Sequence, residues 1–201
     1  MDTKDHWERQ YTTKNANEVS WFQAEPRLSM ELIQWSCPER GRVVDVGGGA
    51  SLLVDRLLDE DFSKIAVLDI SPQALEEAKT RLGKKSERVQ WIEADITAVA
   101  TVGEFDVWHD RAVFHFLTSP DDRRKYVDLA TRTVLAGGHL VVGTFAQDGP
   151  TRCSGLDVCR YDPESLAAEF GSAFRMVRHE REIHSTPSGK SQPFTFVVLG
   201  R

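Results

Sequence analysis

Residues 42–51, "RVVDVGGGAS", place an acid and three glycines behind a run of valines. Glycines after a buried strand let a ligand approach backbone amides where a side chain would collide, so this stretch is a candidate cofactor loop. A dinucleotide fingerprint starting at Gly47 fits at Gly49 but meets Leu52 where its last glycine belongs. Asp45, just ahead of the loop, would repel a pyrophosphate and suits a ligand bearing an ammonium and a sulfonium group. S-adenosylmethionine carries both. Asp69 follows Gly49 by twenty residues, where an acid can accept two ribose hydroxyls. Asp95 is placed to accept an adenine amino group while Ile96 packs on the ring. Each acid has a structural alternative: Asp45 as orienter of the loop amides, Asp69 as cap of the helix after Ser71, Asp95 as a turn acid.

The elements that must hold these residues are legible as alternating strands and helices. "RVVDV", "KIAVLDI", "VQWIEADI", "FDVWHD" and "HLVVGTFA" read as strands. Leu52, Leu53, Leu57 and Leu58 recur at helical spacing between the first two. "SPQALEEAKTRL" opens with Ser71 as N-cap and Pro72 in the first turn. "TSPDDRRKYVDLATRTVLAGG" places Ser119 before Pro120, Asp121 and Asp122 at the positive helix end, and Gly137-Gly138 at the stop. "EPRLSMELIQW" sets Leu28, Leu32, Ile33 and Trp35 for an amphipathic helix. A short helix is expected after Asp162-Pro163, then two strands around "STPSGKSQP", close enough to be antiparallel. The fold expected is α/β: a Rossmann-like, doubly wound, mostly parallel seven-stranded sheet with a C-terminal antiparallel hairpin and an N-terminal helical cap. One domain spans 1–201, with 1–40 as cap or lid and 41–201 as core.

The chain has 201 residues and a formal charge of −6. The charge, the lack of a Lys/Arg cluster and the lack of an N/D-P-P-Y/F stretch argue against nucleic acid as partner. The polar start and the absence of a long apolar run exclude a signal peptide and a membrane span, so a cytoplasmic protein is expected. Cys37, Cys153 and Cys159 form no C-x-x-C pair, which suits a reducing compartment and argues against zinc; no metal is expected.

"VVDVGGGAS", "VLDIS", "EADI", "FDVWHDRAVFHFL" and "LAGGHLVV" together resemble the ordered motifs of class I S-adenosylmethionine-dependent methyltransferases over about residues 41–146. Ser51 departs from the glycine frequent there, but its hydroxyl can cap the next helix. The ends resemble a small bacterial subgroup that opens H-W-x-x-x-Y and V-S-W-F/Y-Q and carries Cys-Ser-Gly-Leu, here "HWERQY", "VSWFQ" and "CSGL" at 153–156. Looser similarity extends to elongation-factor lysine methyltransferases, which read Asp-Lys-Gly-Thr where this chain has Asp110-Arg111-Ala112-Val113. The resemblance implies that Asp45 and Gly47, Gly48 and Gly49 surround the methionine moiety, Asp69 holds the ribose, Asp95 and Ile96 hold the adenine, and Asp110 lies near the sulfonium. Ile70 and Arg111 join the cofactor-binding set, with Tyr11 and Trp21.

Trp7, Tyr11, Trp21 and Phe22 crowd the segment before the first strand and are expected to close over the cofactor; padding of the sheet edge is the rival reading. The reaction expected is in-line attack on the sulfonium methyl, leaving S-adenosylhomocysteine. Should the acceptor need to lose a proton, His115 is the first candidate base, then His109 and Asp110. For His115 the rival is core packing, and for His109 a side chain on the opposite sheet face. Cys153 and Cys159 either meet a soft substrate or pack as small hydrophobes. A small-molecule thiol, hydroxyl, amine or chalcogen is the leading acceptor, with protein lysine and a non-catalytic cofactor binder as alternatives and an NAD-dependent reductase as outsider. Acceptor identity and oligomeric state are not encoded in these patterns.

Overall fold

The structure, a computed structural model, describes residues 3–13 and 17–201; residues 1–2 and 14–16 of the expected lid lie outside the described residues. In chain order the elements are α1 (Thr3–Thr13), α2 (Arg27–Ser36), β1 (Arg42–Val46), α3 (Leu53–Asp59), β2 (Lys64–Asp69) and α4 (Pro72–Leu82). There follow β3 (Val89–Glu93), β4 (Phe105–Arg111), α5 (Pro120–Thr133), β5 (Val134–Phe145), β6 (Arg152–Cys153) and β7 (Leu156–Asp157). The chain closes with α6 (Pro163–Glu169), β8 (Arg175–Ser185) and β9 (Ser191–Gly200).

The seven-stranded sheet runs β3-β2-β1-β4-β5-β9-β8, parallel except at the terminal β8–β9 hairpin. Strand order reverses between β1 and β4, which opens a crevice at their carboxyl ends. Helices cover both faces, so alternate residues of one strand enter different cores. Val44, Val46 and Trp108 pack with Tyr126, while Val43 and Val107 pack with Leu53 and Phe196. Register pairs Asp45 with His109 and Val46 with Asp110, so each pair shares a face.

The start of α4 follows its sequence signals: Ser71 Oγ accepts from Ala74 N at 3.2 Å, and Pro72 occupies the first turn. In α6, Asp162 and Ser165 close a reciprocal capping box. Ser119 stands at the start of α5 before Pro120, as expected, without a side-chain capping bond. Two local expectations are corrected. Gly137 and Gly138 lie inside β5, because α5 ends at Thr133 and pairing resumes at once. Trp35 is 48% exposed rather than buried with Leu32 and Ile33, lying beneath the guanidinium of Arg178. Among the described residues, no helix is long and apolar enough to cross a membrane.

Candidate active site

The glycine loop leaves β1 where the strand order reverses, and each glycine sits where a side chain would collide. Gly47 has φ +68°, and a Cβ there would stand 2.0 Å from Val113 Cγ2. One on Gly48 would stand 2.5 Å from Asp45 Oδ2, and one on Gly49 2.6 Å from Asp69 Oδ2 and 3.2 Å from the Tyr11 hydroxyl. The loop therefore threads between two carboxylates with no room for more than hydrogen. Ser51 Oγ accepts from Leu53 N at 3.1 Å, and Arg81 of α4 clamps the loop through the carbonyls of Ala50 (2.9 Å) and Ser51 (2.7 Å). Arg81 was invisible to sequence reasoning, being a last-turn base on an exposed helix.

Both carboxylates are buried. Asp45 Oδ1 meets His109 Nδ1 at 2.7 Å, and His109 Nε2 meets Ser29 Oγ at 2.9 Å, which ties α2, β4 and β1 into one chain of hydrogen bonds. Asp69 Oδ1 accepts from Ser71 N at 2.9 Å. Burial pushes the Asp69 carboxyl up to about 7, the Ser71 amide opposing and the charge of Asp45 adding to the rise. Asp95 forms an Asx turn, its Oδ1 accepting from Thr97 N and Thr97 Oγ1, both at 2.8 Å.

Two connected spaces open here. A cleft of about 400 Å³ is lined on its strand-end side by Gly47, Asp69, Ile70, Asp95 and Ile96, and on its outer side by Trp7, Tyr11, Trp21, Phe116 and Cys153. A smaller cavity of about 60 Å³ reaches inward past Gly48 and Asp45 to His109 and Ser29. Tyr11, Trp21, Gly47 and Arg111 line both. Of the site residues expected from sequence, only Gly49, Asp110 and His115 line neither space.

Gly49 is packed between Asp69 and Tyr11. Asp110 points to the opposite face from His109, as the pleat requires. Its carboxylate accepts from Val113 N (2.8 Å), Phe114 N (3.0 Å) and the Tyr126 hydroxyl (2.6 Å), which in turn accepts from Trp108 Nε1 (2.8 Å). Its carboxyl is pushed up to about 6 by burial. These partners make Asp110 an anchor of the turn after β4, not a neighbour of the cleft. His115 is fully buried, with Nδ1 accepting from Phe145 N at 3.3 Å. Burial, aided by the charge of Arg111, pushes it down to about 3, so the imidazole is neutral at physiological pH. Asp110 and His115, expected near the reacting groups, thus reach neither space in this structure, and for His115 the core-packing alternative describes its surroundings. His109 faces the cavity, against the rival that set it on the other side of the sheet.

Side chains distant in sequence fix the outer wall. Arg111 Nη1 donates to Trp21 O at 3.2 Å and Nη2 to Glu182 Oε2 at 3.4 Å, with the guanidinium 4.3 Å over the Phe194 ring. Gln23 Nε2 donates to Glu182 Oε1 at 3.0 Å, and His184 Nε2 donates to Ser20 O at 2.8 Å. Glu8 of α1 accepts from the Ser71 hydroxyl and, at 3.3 Å, from Gln73 N. Residues 6–11 and 19–23 are thereby pinned to the sheet and to α4. Cys153, at the end of β6, lines the cleft, whereas Cys159 lies outside it, its amide donating to His115 O at 2.8 Å. Among the described residues no cluster has the makings of a metal site.

A family model described as a methyltransferase domain matches residues 43–138. Nodulation protein S of Rhizobium tropici is 23% identical over 123 residues, 61% of this chain and 51% of that protein. The chain thus spans about half the length of this curated relative. N-methyltransferase NodS from Bradyrhizobium japonicum, solved with S-adenosyl-L-homocysteine, superposes with a TM-score of 0.73 at 17% identity, covering 98% of each chain. A chain solved in work on the conversion of a disulfide bond into a thioacetal group during echinomycin biosynthesis gives 0.80 at 14% identity, covering 99% of this chain and 93% of that one. At these identities the superpositions speak for the fold.

Proposed function

We propose that this chain, whose residues 43–138 match the model of a methyltransferase domain, binds S-adenosylmethionine and transfers its methyl group to a small-molecule nucleophile. The observation that carries the reading is the loop held between buried Asp45 and Asp69, opening on a cleft walled by aromatic rings. Under it, Asp69 takes the ribose hydroxyls, Asp95, Ile96 and Ile70 take the adenine, and Asp45 with Gly47 and Gly48 surrounds the methionine moiety. The charge of Asp45 and the Leu52 side chain weigh against a dinucleotide in the same place.

The sulfonium is already an activated leaving group, so the chain's task is alignment and exclusion of water. The acceptor's lone pair forms a bond to the methyl carbon while the carbon–sulfur pair returns to sulfur. Tyr11, Trp21 and Arg111, which line both spaces, are placed to position the methyl between cofactor and acceptor. The convergence of residues 6–11, 19–23 and 153–156 on one cleft supports treating these stretches as a unit that shapes acceptor choice.

Protein lysine is the second reading, favoured by the carboxylates of Asp122 and Asp157 on the cleft. Methyl-labelled cofactor incubated with the protein and a fractionated extract separates the two. Label in small solutes is expected; label confined to polypeptide would establish the second reading. Cofactor binding with no label transferred to any fraction would mark a non-catalytic binder.

A further inference from the structure

The outer end of the cleft carries a chemistry that narrows the acceptor. Trp7 stands against Phe116 with ring centroids 5.0 Å apart and planes at 76°, and against Trp21 at 5.7 Å and 83°. All three rings line the cleft. Steeply inclined rings around one corner present the negative faces and shared apolar surface that attract alkylammonium groups. Two further acids, Asp122 and Asp157, line the same cleft. Each has a partner outside, Lys125 at 3.0 Å and Arg152 at 3.1 Å, but these are solvent-exposed pairs of little strength that leave the carboxylates open to a competing cation. Among the described residues lining the cleft, Arg111 is the one base, and its charge is met by Glu182. A phosphate or carboxylate would find acids and no free cation there.

Proton bookkeeping points the same way. A thiol or hydroxyl becomes a strong nucleophile by losing its proton; His109 is engaged by Asp45 and Ser29, His115 packs in the core, and His6, edge-on to Trp7, does not line the cleft. The thiolate or alkoxide formed would also sit among carboxylates. An amine is drawn in as its ammonium, gives one proton to water in the open cleft and attacks as the neutral free base, and the N-methylammonium it becomes is the charge that rings and acids favour.

Resting on the methyltransferase reading, we propose that the acceptor atom is an amine nitrogen, caged by Trp7, Trp21 and Phe116 and drawn in by Asp122 and Asp157. The nitrogen lone pair forms the new N–C bond, the C–S bond breaks with its electrons to sulfur, and the resulting N-methylammonium releases its proton to water.

The test uses the full chain saturated with S-adenosylhomocysteine and two probes of equal shape, choline and 3,3-dimethyl-1-butanol, which differ in the charge at the quaternary centre. Calorimetric titration should show choline at least about 10-fold tighter, a range that cation–π and acidic contacts supply. Trp7→Leu should erase the preference, Trp7→Phe should keep most of it, and Asp157→Asn should reduce it about 3-fold. Equal affinity for the two probes, or a preference untouched in both Trp7→Leu and Asp157→Asn, overturns the amine proposal while leaving the methyltransferase reading intact. Failure of S-adenosylhomocysteine to bind at all would sink that reading and this proposal with it. A turnover arm with small aliphatic amines beside a lysine-containing peptide tells which source supplies the nitrogen; faster turnover of a matched thiol or alcohol than of either amine also overturns the proposal.

Discussion

Lowering the pH from 8 to 5 should weaken S-adenosylhomocysteine binding by about 100-fold, or roughly 2.7 kcal/mol, through Asp69 alone. Burial holds this carboxyl at about 7 in the protein alone. Ribose hydroxyls donate, so the ligand prefers the ionised acid, which falls from about 90% of molecules at pH 8 to about 1% at pH 5. The sign for folding is opposite. A carboxyl raised above its unfolded value contributes stability that is fully present below the unfolded value, near 4, and is lost as pH rises through about 7. The empty protein should therefore gain from mild acid at this residue while the complex loses. Calorimetry from pH 5 to 8 gives the profile, and Asp69→Asn should flatten it. Asp110 is held at about 6, but its oxygens are taken by Val113, Phe114 and Tyr126, so its titration is common to free and bound protein and cancels. A flat wild-type profile, or an equal slope in Asp69→Asn, would refute the reasoning.

Gly48→Val should cost at least about 100-fold in cofactor affinity, since its Cβ would lie 2.5 Å from Asp45 Oδ2 and 2.9 Å from Val67 Cγ1; a well-folded variant that binds normally would contradict the loop assignment. Glu182→Gln removes the charge that holds Arg111 and Gln23, so stopped-flow release of S-adenosylhomocysteine should quicken about 10-fold, an estimate from a half-buried charged pair; an unchanged release rate would mean the segment is not held there. His115→Ala should lower stability by on the order of 2–4 kcal/mol yet leave the pH profile of turnover in place, whereas loss of a limb would return His115 to a catalytic role.

The parts of the site written in backbone chemistry were open to sequence reasoning. Glycines at forced close approaches, the Ser71 cap and the acids ending β1 and β2 are local signals, and so is the tight β8–β9 connection. What failed was the facing of β4. In "FDVWHDR" both faces are buried, so no apolar–polar alternation tells His109 from Asp110; only pairing with β1 does. His115 misled because a histidine after that strand has the same spelling whether it meets a substrate or an amide at Phe145. Partners from far along the chain, Glu182 and His184 on the edge strand and Arg81 behind the loop, carry no local signature. The outer wall was foreseeable as a concentration of aromatics, but not the acids that share its cleft.

The most direct measurement is a crystal structure of the chain grown with S-adenosylhomocysteine. The account predicts both ribose hydroxyls on Asp69, the amino-acid end beside Gly47, Gly48 and Asp45, and the sulfur facing the wall of Trp7, Trp21 and Phe116. Ligand bound elsewhere, or seated in the cleft with its ribose away from Asp69, would contradict it.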